Sequence, residues 1–117
     1  MKPLSLWVPF EVADLDAARR FYTVQLGLSE VDAWGRDGER GVVLRVPGPA
    51  HVELVQPARG AAVAPAAALA LELAGTVAVD RAAATLDSAA PTRFPRGHYG
   101  FTVRDPDGVP VLVWSER

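Results

Sequence analysis

Residues 43–55 read VLRVPGPAHVELV, and residues 102–114 read TVRDPDGVPVLVW. The two stretches align without a gap, and Arg45 falls on Arg104. In each, two runs of β-forming residues flank a Pro- or Gly-containing turn, which is the pattern of a β-hairpin. A further turn, WGRDGERG at 34–41, joins two more predicted strands in the first half. The sequence therefore predicts that each half of the chain ends in a hairpin of the same kind.

The similarity between the halves extends upstream of both hairpins. VADLDAARRF at 12–21 matches VAVDRAAATL at 77–86, and an alternating apolar run precedes each of them. The predicted order is therefore strand, helix and further strands, present twice, as expected for an internal repeat. An Ala-, Pro- and Gly-rich stretch separates the copies and is predicted to be a surface linker. We place the first module at about 1–57, the linker at about 58–66 and the second module at about 67–117.

Strand faces and helix ends also follow from the sequence. Alternation in LWVPFEV puts two sets of side chains on opposite faces of the first strand: Leu6, Val8, Phe10 and Val12 on one, and Trp7, Pro9 and Glu11 on the other. Asp14 is the predicted N-cap of the first helix, and Gly27 is predicted to end it. The inner face of this helix is predicted to include Gln25. The second helix is predicted over Val79–Asp87.

The composition limits the classes of function. With 117 residues, 50% of them hydrophobic, the chain is predicted to form one domain over 1–117. Its net charge of -2 gives no reason to expect binding to nucleic acid or to a membrane. No run is long and apolar enough for a signal peptide or a membrane span, so we expect a cytoplasmic protein. Without cysteine, the chain has no disulfide, thiolate nucleophile or thiolate metal ligand.

The segment DLDAARRFYTVQLGL at 14–28 and the terminal RDPDG at 104–108 carry a resemblance to a known family. Within a βαβββ unit used twice, they resemble the vicinal oxygen chelate superfamily of glyoxalase I, bleomycin-resistance proteins and extradiol dioxygenases. The resemblance implies an α+β fold in which two modules form a cup-shaped mixed sheet with the helices outside. It also implies a homodimer with two pockets formed between modules of different chains. Because the scaffold supports many activities, it does not fix the function.

Metal-dependent relatives hold a divalent ion with four side chains, and the resemblance carries those positions onto Trp7, Glu53, Ala68 and Leu112. Of these, only Glu53 can coordinate a metal. A catalytic ion generally needs about three protein ligands, and the indole of Trp7 offers a donor and no acceptor. We therefore expect no metal and no cofactor, with Glu53 as the ligand if a metal is held. The alternative is an irregular, oxygen-rich site in which Glu53 is joined by His51, Glu11 and Glu72.

Aromatic and apolar residues at the chelating positions predict a ring-lined pocket for a small molecule. Trp114 lies two residues after Leu112 and shares its face of the strand. The predicted ligand-binding residues are Trp7, Pro9, Glu11, Trp34, His51, Glu53, Ala68, Glu72, His98, Tyr99, Leu112 and Trp114. Stacking on tryptophan favours a flat aromatic ligand. The simpler interpretation is that Trp7 and Trp114 fill a dimer interface, where tryptophan is enriched.

Three functions are compatible with these features. The favoured one is a metal-free binding protein of the bleomycin-resistance type, which sequesters a bulky aromatic ligand such as an antibiotic in a pocket at a homodimer interface. The alternative is an enzyme. It is either a glyoxalase-like or dioxygenase-like lyase or isomerase that uses Glu53 with non-standard metal ligands, or a metal-free enzyme with Glu53 as general base. The third is a structural or partner-binding domain. No catalytic residue is assigned, and enzymatic activity stays open.

Overall fold

The computed structural model describes residues 2, 4–45, 48, 50–61, 63, 68–94 and 97–117. It divides into two compact units, Met1–Ala66 and Ala67–Arg117. Both units have the order strand, helix and three strands, so the prediction of an α+β fold with two βαβββ modules is confirmed. The predicted linker lies partly outside the described residues. None of the helices in the described ranges is long and apolar enough to cross a membrane.

The N-terminal unit is a four-stranded sheet with one helical segment. Its elements are β1 (Leu6–Glu11), α1 (Leu15–Arg20), a π-helical turn (Phe21–Gln25), β2 (Ser29–Arg36), β3 (Glu39–Arg45) and β4 (Ala50–Gln56). The strand order is β1-β4-β3-β2. β1 runs parallel to β4, and the other neighbouring strands are antiparallel. A parallel pair needs a long crossover connection, which α1, β2 and β3 provide here.

α1 begins where the sequence predicts it. Asp14 is the N-cap, and its Oδ1 accepts a hydrogen bond of 3.1 Å from the Ala17 N–H. Gln56, at the end of β4, accepts the Leu15 N–H through Oε1 at 2.8 Å, which ties the helix to the sheet. Gly27 ends the helical segment with a φ of 76°, a conformation that glycine adopts at little cost.

The last turn of this helical segment differs from the prediction. Phe21–Gln25 is π-helical, and the Leu26 N–H donates to the Phe21 carbonyl at 3.0 Å. A π-turn spaces its hydrogen bonds five residues apart, so the side chains that follow are rotated relative to an α-helix. Phe21 and Tyr22 are buried, whereas Gln25 is exposed. The prediction that Gln25 lies on the inner face was therefore wrong.

Of the three predicted turns, the one at 46–49 lies largely outside the described residues, and the other two are present. Asp37 and Gly38 form the two-residue turn between β2 and β3, with φ of 53° and 84° as a type I′ hairpin requires. In the DPDG turn, Asp105 Oδ1 accepts the N–H groups of Asp107 and Val109, both at 2.8 Å. Asp105 is buried, and these bonds satisfy a carboxylate oxygen that would otherwise be costly to remove from water.

The C-terminal unit repeats the topology with shorter strands. Its elements are β5 (Leu69–Glu72), α2 (Thr76–Thr85), β6 (Thr92–Arg93), β7 (Tyr99–Arg104) and β8 (Pro110–Ser115), in the sheet order β5-β8-β7-β6. α2 begins and ends earlier than the predicted Val79–Asp87. Gly75 has a φ of 93° and turns the chain directly into the helix. Asp87 has a φ of 52°, which is incompatible with a further helical residue.

Each unit buries a core between its own helix and its own sheet. α1 packs on β3 and β4, and α2 packs on β7 and β8. The buried apolar residues of these cores are Phe10, Val12, Leu15, Ala18, Phe21, Tyr22, Leu28, Val42, Leu44, Val52 and Leu54 in the N-terminal unit, and Leu69, Val79, Ala83, Phe101, Val111 and Val113 in the C-terminal unit. Val43, on the opposite face of the N-terminal sheet, and Val109, after the DPDG turn, are buried as well. Because strand side chains alternate, the opposite face of each sheet is left for the predicted site residues.

Candidate ligand-binding site

Most of the predicted site residues lie on the sheet faces that point away from the helices. We call these the N-terminal face and the C-terminal face. The register of the strands places Trp7, Pro9, Glu11, Trp34, Gly41, Val43, His51 and Glu53 on the N-terminal face. It places Ala70, Glu72, Gly100, Thr102, Leu112 and Trp114 on the C-terminal face. The alternation predicted from the sequence is correct for both sets.

A tryptophan and a histidine stack at one end of the N-terminal face. Trp7 and His51 are neighbours in the parallel β1–β4 pair, and their ring centroids are 4.5 Å apart with an interplanar angle of 17°. The indole Nε1 of Trp7 donates to Ser5 Oγ at 2.8 Å. Trp7 is 46% exposed, while Nδ1 of His51 is buried and has no hydrogen-bond partner within the described residues. The exposed side of this stack is an aromatic surface on which another ring can pack.

The carboxylate of Glu53 is held by a second tryptophan. Trp34 Nε1, from β2, donates to Glu53 Oε2, on β4, at 3.0 Å, and the contact crosses the intervening strand β3. The indole lies over Gly41, its cross-strand neighbour, and a Cβ on Gly41 would overlap the ring. Glycine at this position therefore lets the indole lie flat and reach the carboxylate. This contact gives the half-buried carboxylate of Glu53 a polar partner, without which its burial would be costly.

The residues at the four chelating positions do not fit a divalent ion. Trp7 presents an indole N–H group, which is a donor, and Glu53 already accepts a hydrogen bond from the indole of Trp34. Ala68, which lies exposed just before β5, and Leu112 have no ligand atom in their side chains. Across the described ranges, no three His, Asp or Glu side chains come close enough together to hold a metal. Within the described part of the N-terminal unit, Glu53, His51 and Glu11 therefore do not form a metal-binding group.

On the C-terminal face the aromatic side chains pack on one another. His98 stacks on Phe94 at 4.6 Å between ring centroids, and it meets Trp114 edge-on at 5.6 Å. The backbone closes this cluster, since the Phe94 N–H donates to the His98 carbonyl at 2.9 Å. Nδ1 of His98 is buried without a hydrogen-bond partner among the described residues. Glu72, the register neighbour of Trp114, is exposed beside the cluster.

Tyr99 lies apart from the other predicted ligand-binding residues. In β7 it alternates with Gly100, so its side chain lies on the helix side of the C-terminal sheet. Its hydroxyl donates to Asp80 Oδ1 of α2 at 2.5 Å, and the Arg93 guanidinium lies 5.1 Å from its ring centroid. The hydrogen bond to Asp80 raises the pKa of Tyr99 above its ordinary value, and the burial and charge of the contact act in the same direction. A ligand role for Tyr99 stays a prediction.

A cavity lies between α1 and the β2–β3 hairpin. It has a volume of about 360 Å³ and is lined by α1 and the β2–β3 hairpin, including Arg19, Arg40 and Trp34. Arg19 pairs with Glu30 at 2.7 Å, and Arg40 pairs with Asp16 at 3.3 Å. The two arginines that line the cavity, Arg19 and Arg40, are therefore both paired with carboxylates. Of the predicted site residues, Trp34 alone lines this cavity.

Two residues that shape the N-terminal face were absent from the prediction. Ser5 binds the indole of Trp7, and Gly41 accommodates the indole of Trp34. Gly41 was accessible from the sequence, because a two-residue Asp37–Gly38 turn sets Trp34 directly opposite it. Ser5 lies before β1, where no periodic pattern fixes the position of a side chain.

Comparison with solved structures shows how widely this arrangement of strands and helices occurs. Lactoylglutathione lyase from Agrobacterium tumefaciens is 24% identical, with a TM-score of 0.74 over 95% of this chain and 92% of that chain. A glyoxylase/bleomycin resistance protein/dioxygenase domain from Frankia sp. EAN1pec is 20% identical, with a TM-score of 0.79 over 100% of this chain and 93% of that chain. A superfamily member from Sphaerobacter thermophilus DSM 20745 is 23% identical, with a TM-score of 0.77 over 98% of both chains.

At these levels of identity the comparison shows a shared fold, and the activities of those proteins are not assigned to this chain. No curated protein matches the chain. The family model, in contrast, matches residues 7–113 and so spans both modules and both sheet faces. By that match, the chain belongs to the Glyoxalase/Bleomycin resistance protein/Dioxygenase superfamily.

Proposed function

We propose that the protein binds a flat aromatic small molecule on its N-terminal face without a resident metal ion. The observation that carries this proposal is the contact between Trp34 Nε1 and Glu53 Oε2. At the chelating positions of the family, Glu53 supplies the one side chain that could bind a metal, and an indole holds it. Sequestration of a bulky aromatic antibiotic, as in the bleomycin-resistance type that the sequence resembles, is the biological form of this proposal.

The aromatic surface is sufficient for useful affinity. Burying about 200 Å² of apolar ligand surface contributes about 5 kcal/mol, and each ring stacked on tryptophan adds about 1 kcal/mol. Association itself costs several kcal/mol in lost freedom, so a single face supports modest affinity. The rings of Phe94, His98 and Trp114 on the C-terminal face offer a second apolar surface. The homodimer implied by the resemblance belongs to the proposal, and the mass in solution from light scattering tests it.

The binding test is isothermal titration of the protein with planar two- and three-ring aromatic compounds. We expect saturable binding, and at least a tenfold loss of affinity in Trp7→Ala because the exposed stacking surface is removed. Val24→Ala is the matched control, since Val24 is 74% exposed in the π-helical turn, away from the sheet face. Recovery of the ligand unchanged, checked by mass spectrometry, separates binding from catalysis.

The enzymatic alternative makes opposite predictions. If the bound compound is converted to a product, the protein is an enzyme and the sequestration proposal fails. If the protein incubated with Zn²⁺, Mn²⁺, Ni²⁺ or Fe²⁺ retains one ion per chain after dialysis, and Glu53→Ala abolishes that retention, the metal-free form of the proposal is wrong.

A further inference from the structure

We infer that the ligand of the N-terminal face carries a hydrogen-bond donor beside its aromatic ring, and that Glu53 selects for this donor. The inference rests on the proposed function and names the chemical class of the ligand. The class is a flat aromatic ring that bears an aminomethyl or hydroxymethyl group, as opposed to an aromatic carboxylate. It follows from three features of the face, namely the partners of Glu53, the fixed position of its carboxylate and its distance from the stacking surface.

The first feature is that Glu53 has acceptor capacity to spare. A carboxylate offers about four lone-pair sites on its two oxygens, and Trp34 occupies one of them at Oε2. The register neighbours of Glu53 are Pro9 on β1 and Val43 on β3, whose side chains have no donor. The residue is half-buried, so a further donor supplied by a ligand replaces solvent at little cost and gains a charge-assisted hydrogen bond.

The second feature is that the carboxylate is positioned before any ligand arrives. The Trp34 indole is confined between the backbone of Gly41, where a Cβ would overlap it, and the carboxylate that it binds. Orientation of Glu53 is therefore not an additional entropic cost of binding. A fixed acceptor favours ligands that carry a donor over ligands that carry an acceptor. A ligand carboxylate placed against Glu53 would be repelled by its charge, and the facing oxygens could not form a hydrogen bond with each other.

The third feature is the distance between the stacking surface and the carboxylate. Trp7 and His51 form one register pair, and Pro9 and Glu53 form the pair two residues further along the same strands. Two residues of strand span about 7 Å. A ring stacked on Trp7 can therefore place a donor atom two bonds beyond the ring, carried on a methylene group, against Glu53.

Two pairs of naphthalene probes of nearly equal shape test the inference. 1-(Aminomethyl)naphthalene is compared with 1-naphthoate, and the neutral 1-naphthalenemethanol is compared with 1-methylnaphthalene, each by isothermal titration at fixed ionic strength. We expect the amine to bind at least tenfold more tightly than the carboxylate, and the alcohol to bind several-fold more tightly than the hydrocarbon. The neutral pair separates hydrogen bonding from charge attraction. In Glu53→Leu, which removes both acceptor oxygens, both preferences should fall to within about twofold, which is about 0.4 kcal/mol.

Two glycine variants test whether the position of the carboxylate matters. Gly41→Ala should displace the Trp34 indole and reduce the preference for the donor-bearing probes. Gly35→Ala is the matched control on the same hairpin, because its Cβ would meet only the Glu39 carbonyl oxygen at an ordinary 3.7 Å. Trp34→Phe, which removes the N–H without adding volume, serves if Gly41→Ala does not fold.

The outcomes distinguish the inference from the proposed function. If all four naphthalenes bind with equal affinity, or if the preference survives in Glu53→Leu, the inference is wrong while aromatic binding stands. If none of the four binds, the proposed function itself fails. A preference lost in Glu53→Leu and in Trp34→Phe, and retained in Gly35→Ala, supports both the inference and the proposed function.

Discussion

The two sheets share one topology, but the N-terminal face and the C-terminal face use aromatic residues differently. On the N-terminal face the ring of Trp34 binds the carboxylate of Glu53, so an aromatic side chain positions a polar one. On the C-terminal face His98 packs between Phe94 and Trp114, so the aromatic side chains position one another. The first face is suited to discriminate between ligands by their polar groups. The second offers apolar area with one exposed carboxylate beside it.

A glycine opposite a tryptophan occurs on both faces, and it has a different role on each. Gly41 faces Trp34 across β2 and β3, and Gly100 faces Trp114 across β7 and β8. A Cβ at Gly41 would meet the indole side chain, whereas a Cβ at Gly100 would meet the backbone carbonyl of Val113 and the Cα of Trp114. Gly41 thus makes room for a ring, and Gly100 permits close approach of two strands. The comparison teaches that a repeated residue pair need not have a repeated function.

The largest expected effect separates these two glycines. Gly100→Ala should destabilise the protein by about 3 kcal/mol, because the backbone of β8 must move to admit the methyl group. Gly41→Ala should cost about 1 kcal/mol, because the Trp34 side chain can rotate away. Urea denaturation followed by circular dichroism gives both values. Gly35→Ala is the control and should be neutral or slightly stabilising, by about 0.5 kcal/mol.

Equal losses for Gly41→Ala and Gly100→Ala would mean that the indole of Trp34 is as immobile as the backbone. The distinction between a ring-accommodating glycine and a strand-packing glycine would then be lost.

The two helices differ in a similar way at their first residues. Asp14 caps α1 with its side chain, whereas Gly75 precedes α2 without a side-chain hydrogen bond. Asp14→Ala should therefore cost about 1 kcal/mol, the usual contribution of an N-cap, and the same denaturation experiment measures it. Asp16→Ala is the control two residues further on, in the first turn, where the exposed ion pairs with Arg19 and Arg40 contribute about 0.3 kcal/mol. A loss for Asp16→Ala as large as that for Asp14→Ala would contradict the assignment of the cap.

The elements that were predictable from the sequence are those decided by one or two residues. The Asp37–Gly38 turn needs positive φ at both positions, and Asp14 has the short acceptor that an N-cap needs. The bounds of α2 were not predictable from the alignment of the two halves. The alignment sets Val79 on Asp14, but the second module has no side-chain cap, and glycine at 75 allowed the helix to begin earlier.

The candidate site was predictable strand by strand and not across strands. Alternation places Trp7 with Glu11, and Leu112 with Trp114, without reference to any other strand. The hydrogen bond from Trp34 to Glu53 depends in addition on the register of β2, β3 and β4 and on a side-chain rotamer. For Tyr99 the local pattern was informative, because alternation in YGFTVR puts Tyr99 on the same face as the buried Phe101 and so on the helix side.

A smaller effect tests the stack of Trp7 on His51. Trp7→Leu, His51→Ala and the double variant form a double-mutant cycle, and we expect a coupling energy of about 0.7 kcal/mol from the stacked rings. Ser5→Ala is the control, because it removes the 2.8 Å hydrogen bond to the indole and leaves the stack in place. Urea denaturation at neutral pH measures all five proteins. A coupling energy indistinguishable from zero would show that the two rings do not stabilise each other on this exposed face.

The smallest effect belongs to the helix side of the C-terminal sheet and is confined to alkaline pH. In the unfolded chain Tyr99 loses its proton near its ordinary pKa of 10.0, whereas the hydrogen bond to Asp80 raises the pKa of Tyr99 in the folded protein. Above that pH the unfolded state binds fewer protons than the folded state, so stability falls as the pH rises. The contribution is fully present below pH 10.0 and is lost as the pH rises through the raised value.

Denaturation midpoints of the wild type and Tyr99→Phe, compared between about pH 8 and about pH 11, isolate this contribution from other alkaline titrations. The midpoint of the wild type should fall more steeply than that of Tyr99→Phe. Asp80→Asn keeps an acceptor but removes the charge that adds to the raised pKa, so its midpoint should fall less steeply than that of the wild type. Because Tyr99 is on the helix side, the affinity for aromatic ligands should be unchanged in Tyr99→Phe. A loss of affinity in this variant would place Tyr99 in the ligand site after all, and it would contradict the separation of the two sides of the sheet.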